Sequence, residues 1–326
     1  MKVCVYGAGA IGCYLAGRLS TGGAEVSVIA RGNNLAAIRQ CGITVKAPLR
    51  QIAAPVTATD DPAALVPQDL VIVAVKAPSL PSIAGGLAPL LGADTKVAFV
   101  MNGIPWWYFH AHGGPFDGRR LPRIDPDDVM LKTVGADRTI GGVIFAGCDV
   151  VAPGVVHVET PRTRLILGRP DGRPSSDIEA LAAHLRDDDF VVEPTAHIRR
   201  GIWSKLQMNI CSGLMGCLTN ASPRWSYSQP ACEQAVRRLC TEAGAIADAM
   251  GCPTGFDADK LLTRVRNQVH KTSIAQDLEN GRPMEFDSMF GAPLDMARLM
   301  SVPTPTFDLL AELVKVRARV AGSYDG

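Results

Sequence analysis

The sequence predicts an α/β chain in which a doubly wound parallel sheet of the Rossmann type is followed by an all-helical C-terminal domain. Three observations carry that prediction. The apolar run Lys2-Val3-Cys4-Val5-Tyr6 leads straight into Gly7-Ala8-Gly9-Ala10-Ile11-Gly12 and then into a helical pattern, the layout of the first βα unit of a dinucleotide-binding sheet. Apolar β-branched runs alternate with helical patterns as far as about residue 195, which is how a parallel sheet is wired. Beyond Pro194 the strand signal stops and helical periodicity dominates to the end. Two domains are therefore expected, 1–195 and 196–326.

Each element has its own warrant. In the opening turn Gly7 permits the tight bend, Gly9 lets backbone approach a pyrophosphate, and Gly12 lets helix and strand pack closely, with Ala8, Ala10 and Ile11 completing the loop. A phosphate would sit on the free N–H groups of the helix start. The second strand reads as Glu25–Ile29. An NAD site usually ends that strand in Asp or Glu to bind the ribose 2′-hydroxyl, but here Ala30 and Arg31 follow. A carboxylate would repel a 2′-phosphate and a guanidinium pairs with one, so NADP(H) is the expected cofactor, with Asn33 and Asn34 as further neutral donors. A short helix is expected over 35–40, a third strand over 42–46, a fully buried strand over 69–75, a helix over 80–91 and a strand over 96–100.

From about 104 to 135 the pattern dissolves into Gly, Pro and charge. That stretch is too long for an ordinary connection and reads as an insertion. Its Pro105-Trp106-Trp107-Tyr108-Phe109 cluster is either a lid over a substrate or an anchor packing the insertion onto the domain. Strand-like runs return at 139–146, Val155–Val158 and 165–167, with a helix over 176–186 and a last strand over 190–193. Helices are expected over 198–218, 233–250 and 257–271, followed by two more, and Pro293 should kink or break the one after Glu285.

Composition narrows the class. The 326 residues are 47% hydrophobic with net charge +1, enough to bury large cores and without the basic excess that nucleic acid or an anionic membrane surface requires. No apolar run is long enough to span a bilayer, and no secretory cleavage site is evident. The nine cysteines are odd in number, form no CxxC pair and lie partly in apolar segments. They read as buried thiols of a cytoplasmic protein. His110 and His112 lack a nearby third ligand, so no metal site is expected.

The polar residues that could carry chemistry gather at sheet edges and on one helix. Lys76 follows the run DLVIVAV, and Asn102-Gly103 follows the strand ending at Val100, both at the carboxyl edge where open sheets bind ligands. Lys205 and Asn209 lie four apart in WSKLQMN and share a helix face. Ser273 and Glu285 complete the set.

The order and content of these motifs resemble the ketopantoate reductase, or 2-dehydropantoate 2-reductase, family. The resemblance runs over most of the chain: GAGAIG with Arg31, VAVKAP with Lys76, MNG with Asn102, GGVIFAG to PGVVH, WSKLQMN, TSIAQDLENGRPMEFD and VPTPT. It implies that Lys205 is the general acid, that Asn209 and Ser273 hold the 2-oxo acid, and that Glu285 orders the lysine or substrate. It further implies that Lys76 and Asn102 place the nicotinamide side, with Asn102 also facing substrate. The chemistry agrees: hydride addition to a ketone creates an alkoxide that needs a positive donor and a proton, and Lys205 offers both. The expected activity is reduction of a small 2-oxo acid by NADPH, ketopantoate to pantoate in pantothenate biosynthesis being the foremost case, in a protein that is free to form a homodimer.

One departure bears on specificity. Where the family commonly has a second asparagine contacting the substrate's far hydroxyl, this chain has Gly213, which is expected to leave space on the helical turn beyond Asn209. A reductase of another 2-oxo acid is thus an alternative. A non-catalytic NADP(H) sensor is another, but it would have no need of Lys205 and Glu285 together.

Overall fold

The structure is a computed structural model that describes all of residues 1–326. The chain divides into two compact units, Met1–Met101 with Trp106–Ile198, and Asn102–Pro105 with Arg199–Gly326. The first unit contains β1 (Lys2–Tyr6), β2 (Glu25–Ile29), β3 (Ile43–Ala47), β4 (Arg50–Ala54), β5 (Thr57–Thr59), β6 (Gln68–Val73), β7 (Leu91–Val100), β8 (Thr139–Phe145), β9 (Cys148–Ala152), β10 (Val155–Val158), β11 (Thr163–Gly168) and β12 (Phe190–Pro194). Its helices are α1 (Ala10–Thr21), α2 (Gly32–Cys41), α3 (Leu80–Leu87), α4 (Val129–Thr133) and α5 (Ser176–Leu185).

Eight strands form one sheet in the order β12-β11-β8-β7-β6-β1-β2-β5. Every pairing in it is parallel except β8 with β11. The strand order turns back at β1, whose Val3 and Val5 are fully buried and whose register places Tyr6 opposite both Ile29 and Val73. Ligands of open α/β sheets bind at the carboxyl ends of strands at such a reversal. The predicted third strand does form, as β3, but in a separate four-stranded sheet ordered β4-β3-β10-β9. That sheet covers α1, where Gly17 admits it: a Cβ there would lie 2.9 Å from the Val45 side chain. Buried Arg18 of α1 pairs with equally buried Asp189 at 2.6 Å, so these two buried charges compensate each other.

The segment after residue 104 is not a loose appendage. Trp106, Trp107, Tyr108 and Phe109 are all buried. Trp106 meets Phe99 of β7 edge-on with ring centroids 5.7 Å apart. Trp107 fills the space over Gly141 of β8, where a Cβ would come within 2.5 Å of its ring. The aromatic cluster is therefore an anchor in the core of the first unit, as large apolar rings demand.

The second unit is helical, with α6 (Ile198–Thr219) starting at the boundary, then α7 (Pro223–Ser226), α8 (Pro230–Ala249), α9 (Ala258–Val265), α10 (Ser273–Glu279), α11 (Ala292–Leu299) and α12 (Pro305–Val320). The helix expected over 257–271 stops at Val265, because the exposed polar run Arg266-Asn267-Gln268 has nothing to bury. Pro293 does not break its helix. A π-helical turn, Asp287–Gly291, precedes α11 and leaves Pro293 in the first turn, where a missing N–H costs little. The Ser288 carbonyl accepts instead from the Ile104 N–H at 2.8 Å.

Candidate active site

In the first unit the glycine turn has the shape its residues require. Gly7 has φ +111°, outside the range of L side chains, and a Cβ on Gly12 would stand 1.8 Å from the Gly7 carbonyl oxygen. A Cβ on Gly9 would meet nothing within 4 Å, so the backbone at the helix start faces open space. The first intrahelical bond runs from the Cys13 N–H to the Gly9 carbonyl at 2.9 Å. The N–H groups of Ala10, Ile11 and Gly12 precede it and have no partner within the helix. No acidic residue occupies that first turn. Unopposed donors, an approach free of side chains and no competing carboxylate fit the pyrophosphate of a dinucleotide.

Arg31 stands where β2 ends, exposed, with extended backbone at the start of α2. Its guanidinium reaches the Tyr6 hydroxyl, whose pKa is raised by burial and held back by that positive charge. Asn34, expected as a further neutral donor, is held within the protein on both sides of its amide. Its amide nitrogen donates to the Ala8 carbonyl at 2.5 Å and its oxygen accepts from the Gly154 N–H at 2.8 Å, so it braces the glycine turn against the smaller sheet. Lys76 is half-buried just after β6, and the preceding Ala74 and Val75 pack on Gly7.

In the second unit three predicted residues meet directly. Lys205 Nζ donates to Asn102 Oδ1 at 2.9 Å, and Asn102 Nδ2 donates to Glu285 Oε2 at 3.1 Å. Lysine offers only donors and a carboxylate only acceptors, so these partners force the orientation of the amide between them. The arrangement depends on Gly103, whose φ is +78° and whose Cβ would fall 2.4 Å from the Ser288 carbonyl group. The Asn-Gly turn thus clamps onto the π-helical turn that follows Glu285, a contact no local pattern announced. Glu285 is buried and Lys205 half-buried. Burial lowers the Lys205 ammonium to about 8, against the opposing pull of the Glu285 charge. A lysine so placed is charged at neutral pH yet can release its proton readily.

Asn209 lies one turn beyond Lys205 on α6, half-buried, and Ser273 is exposed at the start of α10. The space expected at Gly213 is absent. A Cβ there would stand 3.1 Å from Ile274 Cγ2 and 3.2 Å from Phe290 Cζ, because these two side chains occupy the room an asparagine would take. Both are buried, so the turn beyond Asn209 faces an apolar wall. The signal for it was not local: the two residues come from α10 and the π-helical turn, far along the chain from Gly213.

Comparison with known proteins places both halves of the chain in one family. A family model described as ketopantoate reductase PanE/ApbA matches residues 3–172, and one described as ketopantoate reductase PanE/ApbA C terminal matches residues 197–318. The 2-dehydropantoate 2-reductase of Mesorhizobium japonicum is 37% identical over 99% of this chain and 100% of its own length. That of Halobacterium salinarum is 26% identical over 98% of this chain and 99% of its own. Among solved structures, a chain from Ralstonia solanacearum MolK2 described provisionally as a ketopantoate reductase superposes with a TM-score of 0.91 at 36% identity, covering 99% of each chain. The 2-dehydropantoate 2-reductase of Geobacter metallireducens GS-15 superposes with a TM-score of 0.84 at 26% identity, covering 97% of this chain and 99% of its own. With both halves matched and the glycine turn and lysine cluster in place, this chain belongs to the ketopantoate reductase family of oxidoreductases.

Proposed function

We propose that the chain is a cytoplasmic NADPH-dependent reductase of a small 2-oxo acid, with 2-dehydropantoate, reduced to pantoate in pantothenate biosynthesis, as its first substrate to test. The observation that carries this reading is the Lys205–Asn102–Glu285 chain of hydrogen bonds, which holds a lysine of lowered pKa in a fixed direction. The reduced nicotinamide, when bound, supplies hydride to the carbonyl carbon of the substrate. Lys205 donates a hydrogen bond to the ketone oxygen and passes its proton to the oxygen as negative charge develops there. Asn209 and Ser273 donate to the substrate carboxylate without adding charge. Glu285 keeps the ammonium charged before the reaction and favours its reprotonation afterwards, acting in part through the Asn102 amide. Asn102 and Lys76 help to orient the nicotinamide side, and the turn from Gly7 to Gly12 takes the pyrophosphate.

The NADP(H) assignment rests on the missing acid at the end of β2 and on Arg31 in its place. A D-mandelate dehydrogenase of the same fold, 19% identical with a TM-score of 0.82, was solved with NADH and anilino(oxo)acetate. That neighbour holds NADH, so on this reading the preference of this chain for NADPH lies with residues such as Arg31. No helix is long and apolar enough to cross a membrane. The test is NADPH consumption by the purified protein with a panel of 2-oxo acids, ketopantoate first. Oxidation of NADPH that depends on a 2-oxo acid is expected, and its absence across the panel would overturn the reading.

A further inference from the structure

Of the large apolar side chains that the protein leaves exposed, four lie on α12 in a single row. Leu309, Leu313, Val316 and Val320 are 61%, 48%, 61% and 86% exposed. Their spacing of four, three and four residues keeps them on one side of the helix, as the a and d seam of a helix pair requires. The side that α12 buries in its own unit is the opposite one, since Phe307, Ala311, Val314 and Ala318 lie half a turn away. An exposed apolar row of this length falls within the few hundred Å² at which a patch on a monomer marks an interaction site. α12 is thus apolar on two opposed sides, of which the fold covers one.

We infer that the exposed row of α12 is the seam of a homodimer, in which two copies of the helix pack antiparallel about a two-fold axis between Leu313 and Val316. The charges beside the row select both the partner and the direction. Acidic Asp308 and Glu312 lie in the N-terminal half of α12, and Lys315, Arg317 and Arg319 in its C-terminal half. A parallel copy sets like ends side by side, whereas an antiparallel one sets acid against base, and the helix dipoles favour the same direction. Turning the helix about that axis brings Leu309 against Val320 of the partner subunit and Leu313 against Val316 of the partner subunit, so the row is complementary to itself. The same rotation brings Glu312 against Arg319 of the partner subunit, twice over. Within one copy these two groups have only exposed contacts: Glu312 meets Lys315 at 3.3 Å, a pair worth little, and Arg319 donates to the Gly326 carbonyl at 2.8 Å.

The row alone is smaller than the ~800 Å² per partner of a standard interface, so the dimer should be concentration-dependent. Sedimentation equilibrium of the full chain over about 1–300 µM should show a mass that rises from one chain towards two. Leu313→Lys lies on the solvent side of α12, so it should keep Tm while raising the dissociation constant at least about hundredfold, because symmetry counts the change twice. Glu312→Arg and Arg319→Glu should each weaken association by about tenfold, and an equimolar mixture of the two should restore it, since only across copies does each find its opposite charge. A chain that stays monomeric throughout overturns the inference and leaves the row to another partner. A dimer indifferent to Leu313→Lys overturns it as well, and a mixture no tighter than the single variants overturns the antiparallel pairing.

Discussion

Asn102 joins two opposite charges through atoms whose roles cannot be exchanged, its oxygen accepting from Lys205 and its nitrogen donating to Glu285. Burial disfavours the charged lysine and the Glu285 charge favours it, which leaves the ammonium at about 8, and the hydrogen bond that Asn102 accepts is a further contact with the charged form. The rate of reduction should therefore fall as pH rises through about 8, where the proton donor is lost. Asn102→Ala removes one stabiliser of the charged form, so the same limb should shift to lower pH as kcat drops. A pH–rate profile of both proteins checks this, and a limb that stays in place would confine Asn102 to a structural role. Arg31 is tested separately. Arg31→Ala should weaken NADPH binding by about 1.5–3 kcal/mol, as for a charged hydrogen bond, and leave NADH almost unaffected. Titration calorimetry with both cofactors gives the answer, and equal losses would remove Arg31 from the 2′-phosphate. At this scale the sequence was informative wherever motif order fixed a residue's neighbours. It was silent where partners come from afar, as with Asn34 bracing Ala8 and Gly154, or Ile274 and Phe290 closing on Gly213.

Among the elements, the glycine turn separates requirements of folding from requirements of binding. Gly12→Ala forces a methyl to within 1.8 Å of the Gly7 carbonyl and should cost about 1–3 kcal/mol or more of stability. Gly9→Ala meets nothing within 4 Å and has φ −77°, which alanine adopts freely. It should leave Tm nearly unchanged and still weaken dinucleotide binding by at least about tenfold, because the added methyl occupies the pyrophosphate's approach. Thermal unfolding with and without NADPH distinguishes the two variants. Long apolar runs such as that of β6 were legible because burial on both faces leaves few alternatives. The short strands β4, β5 and β9 were not, since β9 is almost wholly exposed and β4 buries only alternate residues. Nor was the π-helical turn, because Pro293 alone signals a break and not the wider turn that accommodates it.

The whole molecule combines a sheet unit built for a dinucleotide with a helical unit built around a lysine, and the stretch after residue 104 belongs to the framework of the first. Trp107→Ala should accordingly cost about 3–5 kcal/mol in urea unfolding, as for a buried aromatic, where a mobile lid would cost almost nothing. Aromatic content alone left lid and anchor open, and Gly141 of β8, which receives Trp107, settles the matter only in three dimensions. The claim on which everything else depends is that Lys205 supplies the proton to a reduced 2-oxo acid. Its most direct test is single-turnover reduction of a 2-oxo acid by NADPH in the wild-type protein and in Lys205→Ala, with NADPH affinity measured in parallel. A rate lower by at least ~100-fold in the variant, with cofactor affinity retained, is the predicted result for loss of a general acid. An undiminished rate would contradict the account.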